Sequence, residues 1–329
     1  MSSSLLFGVA TGPDLLRLLA VPVFAIAAYR DHKTRRVANR TWLPLLVVGA
    51  VAVAWDAFVV FDASTFQRRI FSIQLVFSLG FVAPLGYVFW RIGGFGGADA
   101  KAIITLAVLF PIYPTYYIFG SVYPIHNAPL GVFSFTILSN TVLLGLLYPL
   151  TLAVGNIPRR ELTPAMFVGR RVSLENIPNE HGRLLETSDG FTRRGLDLDA
   201  LRMYLQWRGI SLTALRSDPD RYRNTVPTEP NEPGDGSIST ERRFRHRDDE
   251  GEPIEDDPWG IETFLSEHNA YGTTPTGLRE GIETIVESDR ERVWITPGIP
   301  FIVPMFLALT LALTLGDILF AAFSVIGVA

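Results

Sequence analysis

Two carboxylates stand out by their setting. Asp31 and Asp99 each lie two residues before a lysine, in Asp31-His32-Lys33 and Asp99-Ala100-Lys101, and Lys33 and Lys101 are the only lysines in the 329-residue chain. Both triplets fall where a long apolar segment meets a short polar loop. Two aspartates that share a proton can hydrolyse an amide without a metal or a covalent nucleophile, one activating water while the other protonates the carbonyl oxygen. Near neutral pH this chemistry needs one carboxyl with a raised pKa, which burial and a nearby like charge both produce. Ahead of Asp99, the glycines at 93, 94, 96 and 97 permit tight turns and close approach of a substrate strand. Lys33 and Lys101 have two readings, either orienting the carboxylates or anchoring helix ends with their charged heads in water. Taken singly, Asp31 reads as a charge partner in a basic loop and Asp99 as a helix N-cap. Their shared setting favours a pair.

Other chemistries find no support. The chain has no cysteine, which excludes disulfides, thiolate catalysis and Cys-based zinc sites. His32, His126, His181, His246 and His268 form no H-E-x-x-H pair, and no serine sits in a G-x-S-x-G elbow. The glycine run lacks the Gly-Lys-Ser/Thr ending of a phosphate loop. No metal, cofactor or nucleic acid is expected.

The elements that must position the two aspartates are membrane helices. With 48% hydrophobic residues concentrated in the first half and the last thirty residues, the composition predicts an all-α polytopic membrane protein with one soluble part. Six apolar segments approach the ~20 residues needed to cross the bilayer: 13–29, 42–61, 70–90, 102–119, 129–154 and 297–327, the fourth kinked by Pro111 and Pro114. Residues 1–155 are then a five-helix membrane domain carrying the aspartates, 156–296 a hydrophilic domain with a flexible linker at 226–257, and 297–329 the sixth helix. Met1 to Thr11 has no basic n-region, so no cleaved signal peptide is expected.

Positive charge sets the orientation. Arg30, Lys33, Arg35, Arg36 and Arg40 lie in the first loop, Arg91 and Lys101 in the third, and 19 arginines in residues 156–296, whereas the alternate loops carry only Arg68 and Arg69. The positive-inside rule puts the three basic loops in the cytoplasm and both termini outside, with Asp31 and Asp99 on the same face. Asp14 and Arg17 are expected to pair with each other, and Asp56, Asp62 and Asp317 to serve packing or interfacial roles on the other side.

The insert at 156–296 holds 27 acidic residues against its 19 arginines, a net of −8, while the rest of the chain is +4. That bias fits either a salt-adapted cytoplasm or a codon preference for arginine. Periodicity predicts helices at 199–208, with Leu201, Tyr204, Leu205 and Trp207 packed, and at 276–286. Residues 226–240 read as a linker, followed by Arg242, Arg243, Arg245 and Arg247 leading into the acidic run 248–257. Trp294 reads as a membrane-interface anchor.

These residues resemble the G-x-G-D membrane aspartic peptidases, and specifically the archaeal prepilin and preflagellin peptidases. Asp31-His32-Lys33-Thr34-Arg35-Arg36-Val37-Ala38-Asn39 is similar to the family's catalytic Asp followed by a basic residue, an aliphatic residue and Asn. Gly96-Gly97-Ala98-Asp99-Ala100-Lys101 is similar to G-x-G-D-x-K, and Trp294 to Phe301 is a weaker likeness at the start of the last span. Two positions depart: Ala98 stands at the second glycine, and Ala38 where many relatives have proline. The resemblance implies Asp31 and Asp99 as catalytic, with Lys33, Lys101, Gly96, Gly97, Ala98 and Asn39 in support. It implies an aspartic endopeptidase in the cell membrane that removes the basic leader of type IV pilin-like or archaellin precursors at the cytoplasmic face. The bacterial relatives' cysteine zinc module and linked methyltransferase activity have no counterpart here. Two other classes remain: an ion-coupled transporter whose aspartates bind cations, and a non-catalytic membrane scaffold.

Overall fold

The computed structural model describes residues 5–329 except 93, 161, 188–189, 193–194, 239–251, 254–255, 289–290, 299, 326 and 328–329. Gly93, the arginine cluster at 242–247 and most of the acidic run after it therefore lie outside the described residues. The chain divides into two compact units, one formed by Met1–Tyr148 with Pro300–Ala329, the other by Pro149–Ile299.

The first unit is helical. In chain order it contains α1 (Gly12–Arg17), α2 (Ala20–Thr34), α3 (Leu43–Phe61), α4 (Thr65–Phe77), α5 (Ala83–Arg91), α6 (Gly97–Leu109), a hairpin of β1 (Tyr116–Ile118) and β2 (Ser121–Tyr123), and α7 (Phe133–Gly145). A π-helical turn, Ser78–Val82, joins α4 to α5. The helix α8 (Leu147–Asn156) follows α7 almost without interruption. Four continuous stretches are long and apolar enough to cross a membrane: Gly12–Thr34, Asn39–Phe61, Thr65–Arg91 and Phe133–Asn156. The fourth and sixth predicted spans differ. The fourth is helical only over α6, because Phe110 leaves the helix at φ −127° and Pro111 and Pro114 cannot rejoin it.

In the second unit the expected helices are α9 (Leu198–Arg208) and α13 (Pro275–Val286), with short helices α10 (Leu212–Ser217), α11 (Pro219–Arg223) and α12 (Ile261–Glu267) between them. Asp197 caps α9 through its side chain, and Gly209 ends it in the left-handed region. Leu201, Tyr204, Leu205 and Trp207 are all buried, with Trp259, Phe264 and Ile282 in the same core. The all-α expectation fails in this unit. A three-stranded antiparallel sheet runs in the order β3 (Arg170–Ser173), β9 (Arg292–Thr296), β4 (Arg183–Leu184), beside two small pairs: β5 (Glu186–Thr187) with β6 (Gly190–Phe191), and β7 (Thr225–Val226) with β8 (Glu252–Pro253).

Trp294 is consequently no interface anchor. It sits in the central strand β9, buried, with Arg171 over its ring at 5.6 Å. The described part of the expected linker is held rather than loose. Asn231 donates its backbone N–H to the Trp207 carbonyl, Gln206 donates to the Glu232 carbonyl, and buried Arg202 donates Nε to the Gly236 carbonyl at 2.6 Å.

The chain returns to the first unit as α14 (Ile302–Thr314) and α15 (Ile318–Val325). The predicted sixth span is thus two short helices broken at Gly316, whose φ of +90° and contact with the His126 carbonyl leave no room for a side chain. Helix α14 packs against α2 and α7, α5 against α6, and α3 against α1 and α6. At Gly86 a Cβ would come within 3.0 Å of Ile103, so α5 and α6 approach closely.

Candidate active site

Asp31 is placed by helical spacing. The buried positions of α2 are Ala20, Phe24, Ala27, Ala28 and Asp31, a single stripe at three- and four-residue intervals, so the carboxylate continues the packed face rather than the solvent face. Arg35 ends α2 in the left-handed region, and its N–H bonds to the Asp31 carbonyl. The Asp31 side chain, in a residue 8% exposed, accepts a hydrogen bond at Oδ2 from the backbone N–H of Ile302, at 3.2 Å. That donor is in the first turn of α14, where unpaired N–H groups favour negative charge.

Asp99 is the third residue of α6. Its Oδ2 accepts from the backbone N–H of Gly96 at 3.0 Å, closing the helix start on itself. The preceding loop is pinned from the other side, where Gly94 and Phe95 both donate N–H to the Phe89 carbonyl. Phe95 is packed between Phe89 and Phe301, with ring centroids 5.0 and 4.7 Å away. Phe301 immediately precedes Ile302, so one aromatic contact ties the glycine loop to the residue beside the Asp31 donor. Asp99 lies outside the four long membrane helices, and its carboxyl is pushed up to about 7, first by burial and then by the negative charge of Asp31. The two carboxylates thus lie within electrostatic reach of each other.

The supporting residues divide. Lys101 Nζ donates to Asn39 Oδ1 at 2.6 Å, linking the first turns of α6 to the short 3₁₀ turn Asn39–Thr41 that follows the α2 loop. Lys33 is exposed and lies over the ring of Tyr29, 4.9 Å from its centroid. A Cβ at Gly96 would approach Asp99 Oδ2 at 3.1 Å, whereas Gly97 meets nothing closer than 3.6 Å. Both departures from the family pattern find a local reason. Ala98 lies within α6, in ordinary helical backbone, with its methyl packed on the core. Ala38 has φ −63° and ψ 138°, close to the backbone that a proline ring imposes.

At the other end of the unit, Arg17 is fully buried. It donates to Asp14 at 2.7 Å and to the Leu109 carbonyl at 2.7 Å, and also bonds Asp56. The expected Asp14–Arg17 pair is therefore part of a larger knot joining α1, α3 and α6. Asp317 accepts from Thr136 and caps α15 through the N–H groups of Leu319 and Phe320. Asp62 is exposed. Among the described residues no group of three His, Cys, Asp or Glu side chains is disposed to hold a metal.

Reading side chains alone misses Ile302, because it contributes a backbone N–H. The stripe that ends at Asp31 was a signal available in the sequence.

Residues 18–150, which include both aspartates, match the family model of the type IV leader peptidase family. Residues 223–318 match the model of the archaeal Peptidase A24 C-terminus type II, and the two together cover more than half of the chain. The chain is thus similar to the type IV leader peptidase family over residues 18–150. Among curated relatives, the preflagellin peptidase of Methanococcus maripaludis is 25% identical over 168 residues, covering 49% of this chain and 69% of that protein. The preflagellin peptidase of Methanococcus voltae is 27% identical over 133 residues, 40% of this chain; the match spans 54%, about half, of that protein's length.

Proposed function

We propose that this protein is a leader peptidase, an aspartic endopeptidase that cleaves the leader of type IV pilin-like precursors, preflagellins or prepilins, at the cytoplasmic membrane face. The observation that carries the reading is the pair itself: Asp31 buried on the packed stripe of α2 and held by the Ile302 N–H, with its charge felt at an Asp99 whose carboxyl sits at about 7. Such a pair retains one proton near neutral pH, as amide hydrolysis by two carboxylates requires.

In this mechanism the ionised carboxylate accepts a proton from water while the water oxygen attacks the scissile carbonyl carbon. The protonated partner gives its proton to the carbonyl oxygen, and the tetrahedral diol collapses as the leaving nitrogen takes a proton from the pair. Arginine-rich loops on the side of Asp31 and Asp99, and the sparse charge of the alternate loops, support a cytoplasmic site with both termini outside. The Lys101–Asn39 bond holds the segments after the two aspartates in register.

Purified full-length protein, reconstituted and incubated with a pilin-like precursor, should make one defined cut. Asp31→Asn and Asp99→Asn should each abolish that cut while leaving the protein in the membrane. Ordinary turnover by either variant would remove that residue from the mechanism, and failure of the wild type to cut any such precursor would defeat the reading.

A further inference from the structure

The connection between α6 and α7 has the composition of a membrane segment although it is not a helix. No Asp, Glu, Lys or Arg occurs from residue 102 to 158. The hairpin within that stretch exposes Tyr117, Ile118, Phe119, Val122 and Ile125, and the Phe119 side chain is fully exposed. Phe119 and Gly120 both have positive φ, +50° and +78°, the backbone of a tight hairpin turn in which Asn, Asp or Gly is preferred. Phenylalanine there gains nothing from water.

Helix length supplies a second, independent argument. α6 starts beside Asp99 and Lys101 and has 13 residues. At about 1.5 Å per residue it rises roughly 20 Å, about 10 Å less than the hydrocarbon thickness of ~30 Å. Strands β1 and β2 have three residues each, about 10 Å at ~3.3 Å per residue. The hairpin follows α6 at the end away from Asp99 and supplies chain where the helix stops short.

Hydrocarbon favours strands whose N–H and C=O groups are paired, and several such groups of the hairpin and its flanks are paired. β1 pairs with β2 from Tyr116↔Tyr123 to Ile118↔Ser121. On its other edge, Ala10 bridges Tyr116, and the Tyr117 N–H donates to the Val9 carbonyl at 2.7 Å. Beyond β2, the N–H groups of Ile125 and His126 donate to the Thr314 and Leu315 carbonyls at 3.1 and 2.8 Å. The end of α3 likewise shows apolar side chains outward, Phe58 and Phe61.

From these observations we infer that the β1–β2 hairpin is a lipid-contacting element that lies among the acyl chains of the leaflet opposite Asp31 and Asp99 and completes the crossing α6 begins. The inference is independent of the peptidase reading. Because the chain has no cysteine, single-cysteine variants place one nitroxide label at a chosen position without further change. Full-length Phe119→Cys and Val122→Cys proteins in phosphatidylcholine nanodiscs would be compared with Val51→Cys, outward on α3, and Glu267→Cys on the charged surface of the second unit. Labels at 119 and 122 should collide with oxygen more than with a water-soluble nickel chelate, matching the label at 51. A label at 119 that collides with the chelate as readily as the one at 267 would overturn the inference. So would spin–spin broadening at 119, which would show a second copy of the chain covering the tip.

Discussion

The pH response of the carboxylate pair is the sharpest test of the site. Raising Asp99 from 3.8 to about 7 corresponds to about 4 kcal/mol against placing a second negative charge in the folded site. In the folded state Asp99 binds its proton more tightly than in the unfolded chain. The stability associated with that proton is therefore fully present below pH 3.8 and is lost as pH rises through about 7. Asp99→Asn keeps an acceptor for the Gly96 N–H and cannot ionise. It should match the wild type near pH 4 and become the more stable protein above pH 7, by up to about 4 kcal/mol, in detergent-solubilised unfolding curves. Activity should respond to the same proton. Cleavage of a precursor, followed as kcat/KM in nanodiscs, should fall about tenfold per pH unit once the pair loses its shared proton, with the alkaline limb near 7. A rate constant through about pH 9, together with an Asp99→Asn protein no more stable than wild type at about pH 8, would refute the argument that these carboxylates hold a proton between them.

Three other perturbations have definite expectations. Ala38→Pro should stabilise the protein by about 0.4–1 kcal/mol with activity intact, because residue 38 already has a proline-like backbone; a lowered melting temperature would contradict this. Arg17→Met strands the buried Asp14 and half-buried Asp56 carboxylates and should cost about 3–5 kcal/mol in unfolding, whereas a variant within about 1 kcal/mol of wild type would show the knot to be dispensable. Asn39→Leu and Lys101→Met should each lower kcat, with the double variant no worse than either single one. Fully multiplicative losses would mean that the bond between them does not carry the effect.

What could be read from the chain follows a physical divide between local and distant order. The placement of Asp31 and Asp99 at helix ends was legible because each closes or opens an apolar segment. The packed face of α9 and the extent of α13 were legible because a helix repeats its contacts every three or four residues. The end of α6 was foreshadowed by Pro111 and Pro114. Trp294 was misread because a lone tryptophan before an apolar run has the composition of an interface anchor. Its actual place depends on β3 pairing with β9 across more than a hundred residues, and strands of two to five residues leave little local periodicity. The Ile302 donor was illegible for another reason. A backbone N–H is offered by nearly every residue, and only the folding of α14 against α2 selects this one.

The Asp31–Ile302 contact joins positions 271 residues apart. At a ribosomal pace of about 5–20 residues per second, roughly 14 to 54 s separate the synthesis of one from the other. A nascent chain that has already threaded its first helices into the bilayer thus holds both aspartates but lacks the segment that fastens the first of them. The contact that holds Asp31 is therefore the last to form, and under the proposed mechanism a polypeptide truncated before residue 302 should be inactive.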